Sequence, residues 1–146
     1  MSAWRESASE EAQNDLDSLA DATIAAARNF LERNGDFIPF PMAVKADGEL
    51  ALIGLNQPQS ADVPQAQDVI DGIIDLFRDR RDSIRALAIG TNVQIPSEAM
   101  DAIEVRLEHR EGICISVLVP YRLDSLDDSY EYEEPRAQAG DPAIWV

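Results

Sequence analysis

The chain is short of cysteine, histidine and lysine, with one of each: Cys114, His109 and Lys45. A single cysteine excludes an intrachain disulfide. One Cys and one His fall short of the ligand sets that hold zinc, and no metal or cofactor is expected. Arginine supplies the other basic residues, and 12 bases against 28 acids leave a formal charge of −16. Such a surface argues against nucleic acid, whose phosphates need basic side chains, and against anionic membranes. No run reaches the ~20 apolar residues of a membrane span, and residues 1–21 hold no apolar signal core. With the lone cysteine, these absences point to a reducing cytoplasm. Gly48, Gly54, Gly72, Gly90 and Gly112 are scattered, so no glycine-rich loop opens a helix to cradle phosphate. The acid excess itself has three readings: partner binding, salt adaptation or genome composition.

What is present reads as one domain. The 146 residues fall within the ~100–200 of a single domain. Residues 1–14 are polar and read as frayed, 15–123 as the folded body and 124–146 as an acidic segment that docks back on it. From Asp15 to Arg33, Leu16, Leu19, Thr23, Ile24, Ala27, Phe30 and Leu31 recur at helical spacing. Asn34-Gly35 provides the stop. Phe37 to Val44 reads as a strand that lies at an edge or starts irregularly, because Pro39 and Pro41 each lack a backbone donor. Asp47-Gly48 turns it into a second strand, Glu49 to Leu55. Asp62 and Pro64 open a second helix with Val69, Ile70, Ile73, Ile74 and Phe77 on its apolar side. Ile84 to Ile95 is a long strand with a bulge expected at Gly90. Ala102 to His109 alternates Ile103, Val105 and Leu107 with Glu104, Arg106 and Glu108, the pattern of a strand with one wet face. Ile113 to Val119, closed by Pro120, is the most apolar strand and so is expected at the sheet centre.

The resulting class is α+β, with element order α-β-β-α-β-β-β. The simplest arrangement is a five-stranded, mainly antiparallel sheet with two helices on one face. Its order is that of roadblock and profilin-like domains, an analogy of fold alone. Strands 84–95 and 113–119 are apolar on both sides, so the second face needs a cover. Two covers are open: the C-terminal Ile144-Trp145-Val146, or a second copy of the chain. A homodimer with the tail at its rim is the expectation.

Several segments carry a resemblance. They are Phe30-Leu31 with Gly35, Phe37, Pro39 and Phe40; Asp47-Gly48-Glu49; Glu108-His109-Arg110-Glu111-Gly112; Pro120-Tyr121-Arg122; and Gly140 with Ile144 and Trp145. In order and spacing they resemble a family of small bacterial proteins with no established function. The resemblance implies a single cytosolic domain and brings no catalytic residue.

No Ser–His–Asp or Cys–His spacing appears, and no catalytic residue is assigned. The candidate partner-binding residues are charged: Glu104, Arg106, Glu108 and Arg110 on one strand, then Asp124, Asp127, Asp128 and Glu131. The first reading is a non-enzymatic interaction protein, an adaptor or immunity-type inhibitor, that meets a basic partner through its acidic surface. The alternative is a small enzyme or ligand-binding domain with the strand carboxylates Glu104 and Glu108 as acid–base groups. A deep cleft over that pair would favour the alternative.

Overall fold

A computed structural model describes residues 4–52, 65–124 and 126–146. The expected cap at Asp62 and Pro64 lies outside the described residues. The α+β class holds, with seven strands among the described residues in place of five. Three helices, α1 (Trp4–Ser7), α2 (Glu10–Asn34) and α3 (Ala66–Asp79), accompany strands β1 (Phe40–Lys45), β2 (Leu50–Leu52), β3 (Ile84–Ile95), β4 (Met100–His109), β5 (Ile113–Asp124), β6 (Ser129–Tyr132) and β7 (Arg136–Ala139). Every pairing is antiparallel, in the order β2-β1-β3-β4-β5-β6, with β7 also paired to β5. The centre is therefore β3 and β4, not the strand that starts at Ile113.

The helices do not share a face. Ala12, Leu16, Leu19, Ala27 and Leu31 of α2 pack on Val44, Ala86, Ala88, Val105 and Ile115. Ile70, Ile73 and Phe77 of α3 pack on Ala43, Leu87 and Ile89, which alternate with the first set and so point to the other side. The reason is in β1 and β3. Both are apolar on both faces, and each face must be removed from water. Ile144, 1% exposed, joins the α3 cluster with half-buried Trp145 beside it.

Helix α2 begins at Glu10, ahead of the expected Asp15. Ser9 caps it by accepting the Ala12 N–H at 3.1 Å, and Ala12 is fully buried. Gly35, at φ 75°, closes it with its N–H on the Leu31 carbonyl, the left-handed stop that glycine permits.

Proline placement has a local explanation. Pro41 pairs with Ile89 of β3, while the described part of β2 reaches only Met42. The strand is not at an edge, since β1 lies between β2 and β3; it begins at Phe40, which leaves Pro39 outside the ladder. Pro120 does not end β5, which continues to Asp124. Its carbonyl accepts the Glu133 N–H, so its nitrogen faces Glu133 just past the end of β6, and the reciprocal bond that proline cannot make falls at the end of that ladder.

Gly90 marks a close approach, not a bulge. The β3 register runs without a shift from Ala86 to Ile95 against β4. A Cβ on Gly90 would stand 2.7 Å from the Phe40 ring and 3.1 Å from the Thr23 methyl. Phe40 meets Phe30 and Phe37 edge-on at that point, with centroids 5.1 and 5.6 Å away. Gly90→Ala should therefore cost about 1–3 kcal/mol through overpacking. Urea denaturation reads this as a lower midpoint, and an unchanged midpoint would show that the aromatic cluster yields freely.

Candidate functional site

The alternating residues of β4 divide between two environments. Glu104, Arg106 and Glu108 face the α3 side and line one cleft of about 280 Å³. Its floor is the second face of β3, β4 and β5. Ile74 of α3 stands on one side and Gln138 to Ile144 on the other. Arg110, expected to join this set, lies past the end of β4, with its guanidinium 3.5 Å from Glu11 of α2.

Asp124, Asp127, Asp128 and Glu131 gather on the β5–β6 hairpin, about 20 Å along β5 from the row of Glu104. Much of their hydrogen bonding is local. Asp124 accepts the Leu126 N–H, and Asp127 accepts both the N–H and the hydroxyl of Ser129. That hydroxyl holds the Asp127 carboxyl below its ordinary range. Glu131 lies 3.8 Å from Arg122. The eight candidates thus form two separate groups plus Arg110. Among the described residues, no group of three or more His, Cys, Asp or Glu is placed to hold a metal ion.

Glu108 was expected on a wet face, yet it is buried, 7% exposed. Its carboxylate accepts the backbone N–H groups of Ala143, Ile144 and Trp145 at 2.7–3.1 Å. Arg78 and Arg81 donate to the carbonyls of Ala143 and Ile144. A buried carboxylate is tolerable only when its lone pairs are filled, and here the tail fills them. Gly140 completes the approach. Its N–H bonds the Cys114 carbonyl, and a Cβ there would lie 3.2 Å from the Ile115 backbone. Arg136 of β7 clamps Glu98 with two bonds of 2.6 and 2.9 Å.

His109 is fully buried on the opposite face. Its Nδ1 accepts the Glu111 N–H, which leaves Nε2 to donate to Asp15 Oδ2 at 3.0 Å. Arg85 adds two bonds to the same carboxylate, at 2.7 and 3.1 Å. Asp15 and Arg85 were not singled out by sequence. The available signal was an aspartate beside Leu16 and Leu19 in the buried stripe of a helix. The constellation has the parts of a catalytic Asp–His pair, but both ring nitrogens are engaged and sealed from solvent. It fastens α2 to the β4–β5 turn, as does Ser9, whose hydroxyl donates to Glu111 at 2.6 Å.

Cys114 lines the cleft beside Glu108. Burial pushes its thiol up to about 11, helped by the charges of Glu108 and Asp141. The nucleophilic form is the thiolate, so alkylation by iodoacetamide at about pH 8 should run roughly a hundredfold slower than for an unperturbed thiol. The same chain unfolded in urea supplies the reference. Equal rates in the two states would contradict this environment.

No helix of the described residues is long and apolar enough to cross a membrane. No family model, curated protein or solved structure matches the chain.

Proposed function

We propose that this is a non-enzymatic interaction protein of the cytoplasm, an adaptor or immunity-type inhibitor, that meets a basic partner through the outer face of α3. One observation carries the reading. Asp68, Asp71, Asp75 and Asp79 recur three and four residues apart, opposite buried Ile70, Ile73 and Phe77. Among the described residues none of the four forms an ion pair, whereas Asp15, Asp17 and Glu98 each do. The nearby Arg78 and Arg81 bond the tail's carbonyls instead. Like charges at this spacing cost a helix roughly 0.2–0.5 kcal/mol per pair. A ridge kept at that cost suits a surface that attracts opposite charge.

The enzyme alternative has the cleft in its favour. Against it, the Glu108 oxygens are occupied by main-chain donors and Glu104 Oε1 accepts Arg106 Nε at 3.3 Å. Both carboxylates already serve as acceptors within the chain, which counts against a proton-transfer role. Self-association was argued from an open apolar face. Helix α3 and the tail occupy part of that face, and half-buried Val93, Ile95 and Leu118 are what remains for a second copy.

The test is binding of a fluorescent oligolysine peptide as salt rises. Affinity should fall steeply as the screening length shrinks from ~10 to ~3 Å. Asp→Asn changes at all four ridge positions should weaken it at least about tenfold at low salt, roughly 1.4 kcal/mol. Salt-independent binding would refute the electrostatic reading.

A further inference from the structure

We infer that the cleft between α3, β4, β5 and the tail binds an aliphatic α-amino acid as its zwitterion. The inference does not depend on the acidic ridge. It starts from one cross-strand row, in which Arg106 pairs with Ser116 and Ser116 with Gln138. Directly opposed side chains on a sheet stand ~4.5–5.5 Å apart. All three line the cleft, and all three are donors. Glu104 takes only the Nε of Arg106, leaving both terminal nitrogens without a hydrogen-bond partner among the described residues. Ser116 is 8% exposed, and its hydroxyl has no partner among the described residues. A buried hydroxyl without a bond is costly, and a carboxylate is the acceptor that an arginine fork with neighbouring donors recognises.

Glu104 balances one edge of Arg106 at this end, and the other end of the cleft is acidic. Asp141 lines it and forms no ion pair among the described residues. Its charge is felt at Cys114, one row further along β5 than Ser116. Successive rows on one face are ~6.5–7 Å apart. That spacing matches a carboxylate and an ammonium on one carbon, with a hydrogen bond at each end. Between them Ile74, Leu87 and Ile89 offer an apolar wall.

Size and charge narrow the class. The cleft, about 280 Å³, lies just below the ~300–1,000 Å³ of drug-sized sites and above the ~150 Å³ that admits benzene. A ligand with no net charge avoids the repulsion that a chain of −16 exerts on anions. A simple organic cation would leave the arginine row unused.

Calorimetric titration with leucine tests this, with isovaleric acid and isoamylamine as single-charge analogues. Leucine should bind, and each analogue should bind at least about tenfold more weakly, a difference of ~1.4 kcal/mol. Arg106→Gln and Asp141→Asn, both at exposed positions, should each weaken leucine at least as much while leaving the circular dichroism and the melting temperature of the free protein unchanged. Absence of leucine binding up to about 10 mM, an analogue that binds as well as leucine, or variants that bind it like the parent would each overturn the inference.

Discussion

Glu108→Ala should release residues 143–146 from the sheet and lower stability by about 3 kcal/mol. Hydrogen bonds to a charged acceptor are worth ~1.5–3 kcal/mol each, and Glu108 accepts from three consecutive backbone groups. Their sum overstates the loss, because the freed tail hydrates its own N–H groups. The loss is limited by what docking contributes: burial of Ile144, ~1.5–3 kcal/mol, plus a net hydrogen bond or two. The same limit makes the effect conditional. In a chain that ends at Pro142 the carboxylate has no main-chain donors left, and its removal should change little. Urea denaturation of the two single changes and their combination closes the cycle. An interaction energy of about 2–3 kcal/mol is expected. Simple additivity would mean that the carboxylate and the tail are energetically separate.

Asp15→Ala should cost about 3–5 kcal/mol, the range for breaking a buried charged pair. His109 Nε2 would keep its proton in a fully buried place with no acceptor. Arg85, partly exposed, has a second acid at 3.6 Å in Glu11, which pulls the value toward the lower end. Adding Arg85→Ala to Asp15→Ala should then cost less than Arg85→Ala does alone, since the guanidinium has already lost its main partner. Chemical denaturation measures all three variants. A loss below about 1 kcal/mol for Asp15→Ala would show that water takes the place of the carboxylate.

The parts of this molecule that were legible in its sequence are those fixed by short-range periodicity. Ile103, Val105 and Leu107 do face the core, and the stripe from Leu16 to Leu31 is the buried side of α2. Gly35 and Gly48 do have positive φ, as the stops and turns around them require. Placement of α3 was less legible. Alternation in strand 84–95 showed two apolar faces, but not which helix covers which. Glu108 was misread for a similar reason. Alternation sets it beside Glu104 and Arg106, and only the chain's path brings Ala143, Ile144 and Trp145 to its carboxylate. The cleft was illegible for the same cause, since Arg106, Ser116, Gln138 and Asp141 come from three strands and the tail. The short strands β6 and β7 lie in an acidic, turn-rich stretch whose composition hides their pairing with β5.

Two variants of equal net charge give the most direct test of the acidic ridge as the binding surface. One carries Asp→Asn at positions 68, 71, 75 and 79. The other carries Glu10→Gln, Asp21→Asn, Glu32→Gln and Glu134→Gln, exposed positions outside α3. Affinity for the oligolysine peptide at low salt should drop at least about tenfold in the first and stay within about twofold of the parent in the second. Equal losses in the two would contradict the account, because attraction would then follow the total charge and α3 would have no privileged part in it.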